Sequence, residues 1–214
     1  MRDVAALLFD FDGTLIDSAA FYDGVWTRWA QKMGIDPGPI LAEHHGRRFA
    51  DTLRVTGHGH LDLDAAGRDL YAMSHQTTEG LHLVRGVRAL LDDLPRARWA
   101  IVTSSGQSLV RRWLDHFGLP HPGVLVSAEH VSAGKPAPEG YLSAARQLGV
   151  DPRQCLVFED APAGIAAGRA AGATVIALET THRGRLPDNL EKIDDFQAVR
   201  VESRPDVLRV SLRP

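Results

Sequence analysis

The chain has 214 residues, of which 44% are hydrophobic and 24% charged, and its formal net charge is −3. This length suits one domain with or without an insert, and the composition excludes a wholly disordered or fibrous protein. The single cysteine, Cys155, excludes an intrachain disulfide framework and a cysteine-based zinc site.

Membrane and nucleic-acid partners are not expected. No apolar run approaches the ~20 residues of a membrane span, and the slight excess of acidic residues attracts neither nucleic acid nor an anionic membrane. Asp10 and Asp12 interrupt the apolar start of the chain, so no targeting segment is predicted. The lack of a predicted targeting segment, together with the single thiol, favours a cytoplasmic protein. No oligomeric state is predicted.

Apolar runs that stop abruptly at polar residues predict the strands of a parallel sheet. The first run, Val4–Phe9, does not alternate in polarity, which is typical of a strand buried on both faces. Amphipathic stretches between the later runs predict helices, and this alternation indicates right-handed crossovers in one parallel sheet. The later strands are predicted at 99–102, 124–126, 156–158 and 174–178, and the helices at 108–117, 139–148 and 162–171, with Gly149 and Gly172 ending the last two.

Residues 18–84, here called the helical insert, break this alternation and contain no predicted strand. Helices are predicted at 19–33, after Pro39, and at 49–55 and 65–79, with Trp26 and Trp29 packing inside the insert. The predicted fold is therefore α/β: a Rossmann-like parallel sheet flanked by helices, formed by residues 1–17 and 85–214, with a small helical domain inserted after the first strand.

Side chains that can act in catalysis or bind ligands follow the predicted strands. Because ligands bind outside the carboxyl ends of parallel strands, these side chains are expected to line one pocket. They are, in chain order, Asp10, Asp12, Thr103, Ser104, Lys135, Glu159 and Asp160.

Asp10 and Asp12 are two residues apart, so their side chains leave an extended backbone on the same side, with Cα atoms about 6.5 Å apart. That spacing allows two carboxylates to act differently on one reacting atom. Gly13 then permits a sharp turn that brings backbone N–H groups close to an anion. The alternative for this motif is an ordinary turn with solvated carboxylates.

The segment Thr103–Gly106 ends a predicted strand and opens a helix, so its backbone N–H groups can bind an anion. The alternative is N-capping of that helix by Ser104 or Ser105. Lys135 lies in a loop stiffened by two prolines, and its alternative is an ordinary solvated lysine.

Glu159 and Asp160 end a buried strand directly before a helix. Carboxylate oxygens suit Mg²⁺, which typically takes one or two of them and keeps water or phosphate oxygens. The alternative is an acidic cap of the following helix. A nucleotide-hydrolase phosphate loop is excluded at Lys135, because Pro136 stands where Ser or Thr is required.

The four motifs together resemble the haloacid dehalogenase-like hydrolase superfamily. They are the segment from Asp10 to Leu15, Thr103, Lys135-Pro136 and Glu159-Asp160. The sequences around 134–138 and 158–165 resemble the branch of beta-phosphoglucomutases, phosphoglycolate phosphatases, and sugar and glycerol phosphate phosphatases. The segment 45–48, followed by Asp51 and Thr52, is similar to the cap of the sugar and polyol phosphatases.

This resemblance implies a role for each matching residue. Asp10 would be the nucleophile and a Mg²⁺ ligand, and Asp12 the general acid and base, also placed among the metal ligands. Asp160 would be the main downstream ligand, with Glu159 coordinating or supporting it. The group implied to bind phosphate or substrate comprises Phe11, Asp12, Thr103, Ser104, Lys135, Arg47 and Arg48.

The activity implied is Mg²⁺-dependent hydrolysis of a small phosphorylated sugar or polyol through an aspartyl-phosphate, with the helical insert as a cap. Thr14, where beta-phosphoglucomutases carry valine, favours a phosphatase. Phosphomutase activity is the alternative within enzymes, and a non-catalytic ligand-binding module is the alternative outside them. Arg47 and Arg48 can equally be surface charges, and Val84-Arg85-Gly86 departs from the Pro-Gly of relatives.

Overall fold

A parallel sheet with the first buried strand at its centre organises the fold. The structure, a computed structural model, describes residues 1–179, 186 and 189–213, so parts of the predicted core range 85–214 lie outside the described residues. The strands, in chain order, are β1 (Arg2–Val4), β2 (Ala6–Phe9), β3 (Ile16–Asp17), β4 (His82–Leu83), β5 (Trp99–Val102), β6 (Val124–Val126), β7 (Cys155–Glu159), β8 (Thr174–Leu178), β9 (Glu191–Ile193), β10 (Val199–Ser203) and β11 (Leu208–Leu212). The main sheet has the order β6-β5-β2-β7-β8-β9, and all of its pairs are parallel.

Helices connect these strands and fill the insert. They are α1 (Ala19–Met33), α2 (Gly38–Glu43), α3 (Phe49–Val55), α4 (Leu63–Ser74), α5 (Val87–Asp92), α6 (Gln107–His116), α7 (Glu139–Leu148) and α8 (Pro162–Ala170). The Rossmann-like α/β prediction is confirmed. In the part of the chain that the structure describes, no helix is both long and apolar enough to cross a membrane.

Alternate residues of β2 enter two different hydrophobic layers, because successive side chains of a strand point to opposite faces. Phe9 lies on one face, where it stacks on Phe158 with ring centroids 5.3 Å apart. Leu8 lies on the other face, in the cluster that also contains Tyr141 and Ile165. A strand covered on both faces has no polar side, which explains its unbroken apolar sequence.

The prediction of one strand over Val4–Phe9 was wrong. The run is divided at Ala5, whose N–H donates to the carbonyl of Gln154 at 2.8 Å. Before this break, β1 pairs antiparallel with β11, which pairs in turn with β10 in a second sheet. The segment after Arg204, which received no predicted structure, supplies β11.

The helical insert contains the predicted helices, but the bounds of one helix and the expected absence of strands need correction. The predicted helix 65–79 begins earlier, at Leu63, because the Asp62 side chain accepts the N–H groups of Asp64 and Ala65, and it ends at Ser74. The expectation of no strand was also wrong, since β4 pairs with β3 at Asp17↔His82 and Ile16↔Leu83. Trp26 and Trp29 are buried as predicted.

Candidate active site

Asp10 lies at the carboxyl edge of the sheet, directly after β2. Its N–H donates to the carbonyl of Phe158 on the neighbouring β7 at 3.0 Å, and its side chain is only 5% exposed. Because β2 and β7 are parallel neighbours, the end of β7 brings Glu159 and Asp160 to the same edge. The predicted meeting of these distant carboxylates is therefore confirmed.

Lys135 joins two of the carboxylates. Its Nζ donates to Asp10 Oδ1 and, at 2.6 Å, to Glu159 Oε1. The hydroxyl of Tyr141 donates to the same Glu159 oxygen at 2.8 Å. The Lys135 side chain is 7% exposed, so the solvated-lysine alternative was wrong. Burial opposes the ammonium charge, but Asp10 and Glu159 outweigh it and raise the pKa of Lys135.

Asp10, Glu159 and Asp160 form a buried carboxylate cluster in which one oxygen of each residue lies within 4.8 Å of the others. Burial, followed by the charge of Glu159, raises the pKa of Asp10 well above its usual range. Burial, followed by the charge of Asp10, does the same to the pKa of Asp160. A divalent cation would relieve this repulsion, and hard oxygen donors are what Mg²⁺ prefers. The residues present therefore fit that cofactor.

Two glycines make this close approach possible. A Cβ at Gly13 would lie 2.0 Å from Asp160 Oδ2, and the backbone there has φ +82°, which L side chains rarely adopt. A Cβ at Gly164 would lie 1.6 Å from Glu159 Oε1. The other oxygen of Glu159 accepts the N–H groups of Asp160 and Ala161 just before α8, which agrees in part with the acidic-cap alternative.

Asp12 is held by hydroxyl groups rather than by the carboxylate cluster. Ser18 Oγ donates to Asp12 Oδ1 at 2.9 Å, and Thr103 Oγ1 and Ser105 Oγ donate to Oδ2 at 3.3 and 2.7 Å. Its side chain is not part of the cluster of Asp10, Glu159 and Asp160, and its predicted place among the metal ligands stays a prediction. Burial raises the pKa of Asp12 even though these hydrogen bonds oppose the shift.

The serines after β5 do not cap α6, so that alternative was wrong. Gly106 occupies the N-cap position without a side-chain hydrogen bond. Ser104 Oγ instead donates to the carbonyl of Gly46 in the helical insert at 3.1 Å. Sequence reasoning missed the contacts of Ser18, Ser105 and Tyr141, because isolated Ser and Tyr residues carry no motif.

The remaining predicted substrate residues differ in position. Phe11 is fully buried and stacks on Trp113 with ring centroids 5.9 Å apart, so its side chain does not reach the site. Arg47 and Arg48 line the same cavity as Asp10 and Asp12. Their side chains form ion pairs with Glu43 and Asp51 at 3.4 and 2.7 Å.

This cavity has a volume of about 560 Å³ and lies between the sheet edge and the helical insert. Its core wall includes Asp10, Asp12 and Asp160, and its insert wall includes Tyr22, Arg47 and Arg48. Buried acidic groups lie at one end, where Lys135 binds Asp10, and arginines and aromatic rings lie at the other. This arrangement suits an anionic group bearing a polar organic part.

Comparisons with known proteins agree with this geometry. Residues 4–172 match the family described as haloacid dehalogenase-like hydrolase. The chain is 42% identical to hexitol phosphatase A of Escherichia coli (strain K12), over 80% of this chain and 81% of that protein. It is 33% identical to glycerol-1-phosphate phosphohydrolase 2 of Saccharomyces cerevisiae, over 83% of this chain and 76% of that protein.

A solved structure supports the fold. The crystal structure of CbbY from Rhodobacter sphaeroides in complex with phosphate superposes with a TM-score of 0.76 at 22% identity, covering 90% of this chain and 95% of that one. The family match spans all of the predicted motifs, from Asp10 to Asp160. The chain therefore belongs to the haloacid dehalogenase-like hydrolase family.

Proposed function

We propose that this protein is a Mg²⁺-dependent phosphomonoesterase that hydrolyses a small phosphorylated sugar or polyol through an aspartyl-phosphate on Asp10. The observation that carries the proposal is the placement of buried Asp10 between Lys135 and Asp160, at the floor of a cavity that Asp12 also lines. The hexitol and glycerol-1-phosphate specificities in the names of its relatives support a polyol phosphate.

Asp10 is suited to nucleophilic attack, since a carboxylate can form a covalent phosphoryl intermediate that divides one displacement into two steps. The ammonium of Lys135 fixes one oxygen of Asp10 and offsets repulsion between this carboxylate and the phosphate dianion. Asp10, Asp160 and Glu159 would hold Mg²⁺, whose chemistry when bound is neutralisation of phosphoryl charge.

Asp12 is suited to proton transfer because its carboxyl lies apart from the carboxylate cluster while lining the same cavity. In the first step an Asp10 oxygen bonds to phosphorus, the bond to the ester oxygen breaks, and Asp12 gives that oxygen a proton. In the second step water attacks phosphorus, Asp12 takes the proton, and the bond to Asp10 breaks.

The helical insert is suited to act as a cap. Its wall faces the reacting carboxylates across the cavity, where it can exclude bulk water and select the organic part of the substrate. Arg47 and Arg48 are among the charged groups of the insert that line the cavity, as is Arg68, and a guanidinium there can contact phosphate or hydroxyl oxygens. A cytoplasmic location stays a prediction from the sequence.

The test is a phosphate-release screen over hexitol, glycerol, sugar and glycolate phosphates with Mg²⁺. We expect release from at least one polyol or sugar phosphate, with no isomeric sugar phosphate formed. Isomer formation without phosphate release would instead identify a phosphomutase. No turnover of any of these esters or of p-nitrophenyl phosphate would contradict an enzymatic role.

A further inference from the structure

Two tyrosines of the helical insert form hydroxyl bridges to the core. Tyr22 on α1 contacts Ser105, with 2.7 Å between the hydroxyl oxygens, and Tyr71 on α4 contacts Ser108 in the same way. Both tyrosines line the cavity. The bridges differ in the second hydrogen bond that each serine makes. Ser105 is hydrogen-bonded to Asp12, whereas Ser108 is hydrogen-bonded to His75 of the insert.

The direction of the first bridge follows from proton counting. A serine hydroxyl has one proton, and Ser105 donates its proton to Asp12 Oδ2 at 2.7 Å when that carboxyl is ionised. Tyr22 must then be the donor to Ser105. Burial and the nearby charge of Asp12 raise the pKa of Tyr22 well above its usual range, so the phenol keeps the proton it donates.

The ring of Tyr22 has little freedom to leave this position. It packs edge-on against Phe21 and Phe49, with centroids 5.1 and 6.2 Å away, and it lies 5.9 Å from the ring of Trp113 on α6. The tyrosine is therefore held by aromatic neighbours from both the insert and the core. Without the Tyr22 hydroxyl, Ser105 Oγ would lose one of the two hydrogen bonds that favour its observed rotamer and would keep only the bond to Asp12.

On the basis of the proposed function, we propose that Tyr22 is a positioning residue for Asp12, acting through Ser105. Its hydroxyl orients Ser105, which holds the Asp12 carboxyl where it can protonate the leaving oxygen. Because Tyr22 belongs to the helical insert and Asp12 to the core, proton transfer then depends on the insert being seated on the core. The organic substrate would thus be selected and the acid oriented by the same closure.

The experiment compares kcat/KM for phenyl phosphate and p-nitrophenyl phosphate at saturating Mg²⁺. The two esters have similar shapes, but only the poorer leaving group, phenolate, depends strongly on protonation during bond cleavage. For Tyr22→Phe we expect about a tenfold loss with phenyl phosphate and less than about threefold with p-nitrophenyl phosphate. Ser105→Ala removes the same link from the core side and should give the same selective loss.

The double variant Tyr22→Phe/Ser105→Ala tests whether the residues act as one unit. We expect its loss with phenyl phosphate to match that of Ser105→Ala alone, because both changes break one chain of contacts. Tyr71→Phe is the matched control, and it should leave the ratio between the two esters unchanged.

Equal losses for both esters in Tyr22→Phe, or strictly multiplicative losses in the double variant, would overturn the positioning role and leave the phosphatase assignment intact. A selective loss in Tyr71→Phe would overturn it as well. Failure of the unmodified protein to release phosphate from either aryl ester and from every polyol or sugar phosphate would instead overturn the proposed function, and this inference with it.

Discussion

Asp10 at the core wall of the cavity and Lys135, which binds it, keep only 5% and 7% of their side chains exposed. At the insert wall, Arg47 and Arg48 keep 31% and 26% exposed. The core groups are positioned by strand ends and by each other. The two arginines instead pair with Glu43 and Asp51, neighbours in the insert itself. We therefore expect the reaction chemistry to depend on the buried core groups and the substrate preference on the more exposed groups of the insert.

The largest effect is expected from removing the proposed nucleophile, Asp10, from the core wall. Asp10→Asn should reduce turnover to background, because an amide does not form the phosphoryl intermediate, and phosphate release measures this. Asp195→Asn is the control, since Asp195 is also buried and paired with Arg85 but is not among the residues lining the cavity. More than trace activity in a correctly folded Asp10→Asn protein would contradict nucleophilic Asp10.

The next test removes the cation that the core wall is proposed to hold. Chelation should abolish phosphate release, and added Mg²⁺ should restore it. Asp160→Asn should raise the Mg²⁺ concentration for half-maximal activity by about tenfold or more, because a neutral amide replaces a carboxylate ligand.

Asp151→Asn is the matched change for metal dependence, since Asp151 is paired with Arg153 outside the cluster. Its Mg²⁺ requirement should equal that of the unmodified protein. Full activity in chelator, or the same shift in both variants, would count against Asp160 as a ligand.

At the insert wall, Arg48 and Arg54 provide a direct contrast because both form an ion pair with Asp51. Only Arg48 lines the cavity. Arg48→Ala should raise KM for the preferred phosphate by about tenfold with kcat nearly unchanged, as expected for the loss of one charge-assisted contact. Arg54→Ala should leave both constants unchanged, so similar KM values in the two variants would disprove a substrate role for Arg48.

The smallest expected effect comes from comparing one helical glycine of the core with one of the insert. Gly164→Ala in α8 should lower the free energy of unfolding by ~1–3 kcal/mol, because its methyl group would overlap the Glu159 carboxylate. Gly67→Ala in α4 meets nothing within 4 Å and should raise it by ~0.5–1 kcal/mol. Urea unfolding measures the free energy of unfolding of both variants. Equal changes in the two would contradict the proposed difference in packing around the two glycines.

The sheet and the carboxylate cluster were predictable because each depends on a pattern continuous in sequence. An apolar run followed by Asp10 indicates a strand end, and parallel strands bring their ends to one edge. The break at Ala5 was not predictable, since it depends on the hydrogen bond that Ala5 donates to the carbonyl of Gln154, 149 residues away, and on the pairing of β1 with β11. The bridge from Tyr22 to Asp12 was equally hidden, because no spacing rule relates a helix residue to a serine 83 positions later.

The ribbon of β3 and β4 has a practical consequence. Both passages of the chain between the sheet and the helical insert lie side by side there, joined at Asp17↔His82 and Ile16↔Leu83. The two ends of the intervening segment are therefore brought together, with the accompanying loss of loop-closure entropy, at this one pair of strands. Exchanging everything between Asp17 and His82 for the matching segment of a relative would need only two adjacent splice points, and retaining Ser18 and Tyr22 in the new segment would keep their contacts to Asp12 and Ser105.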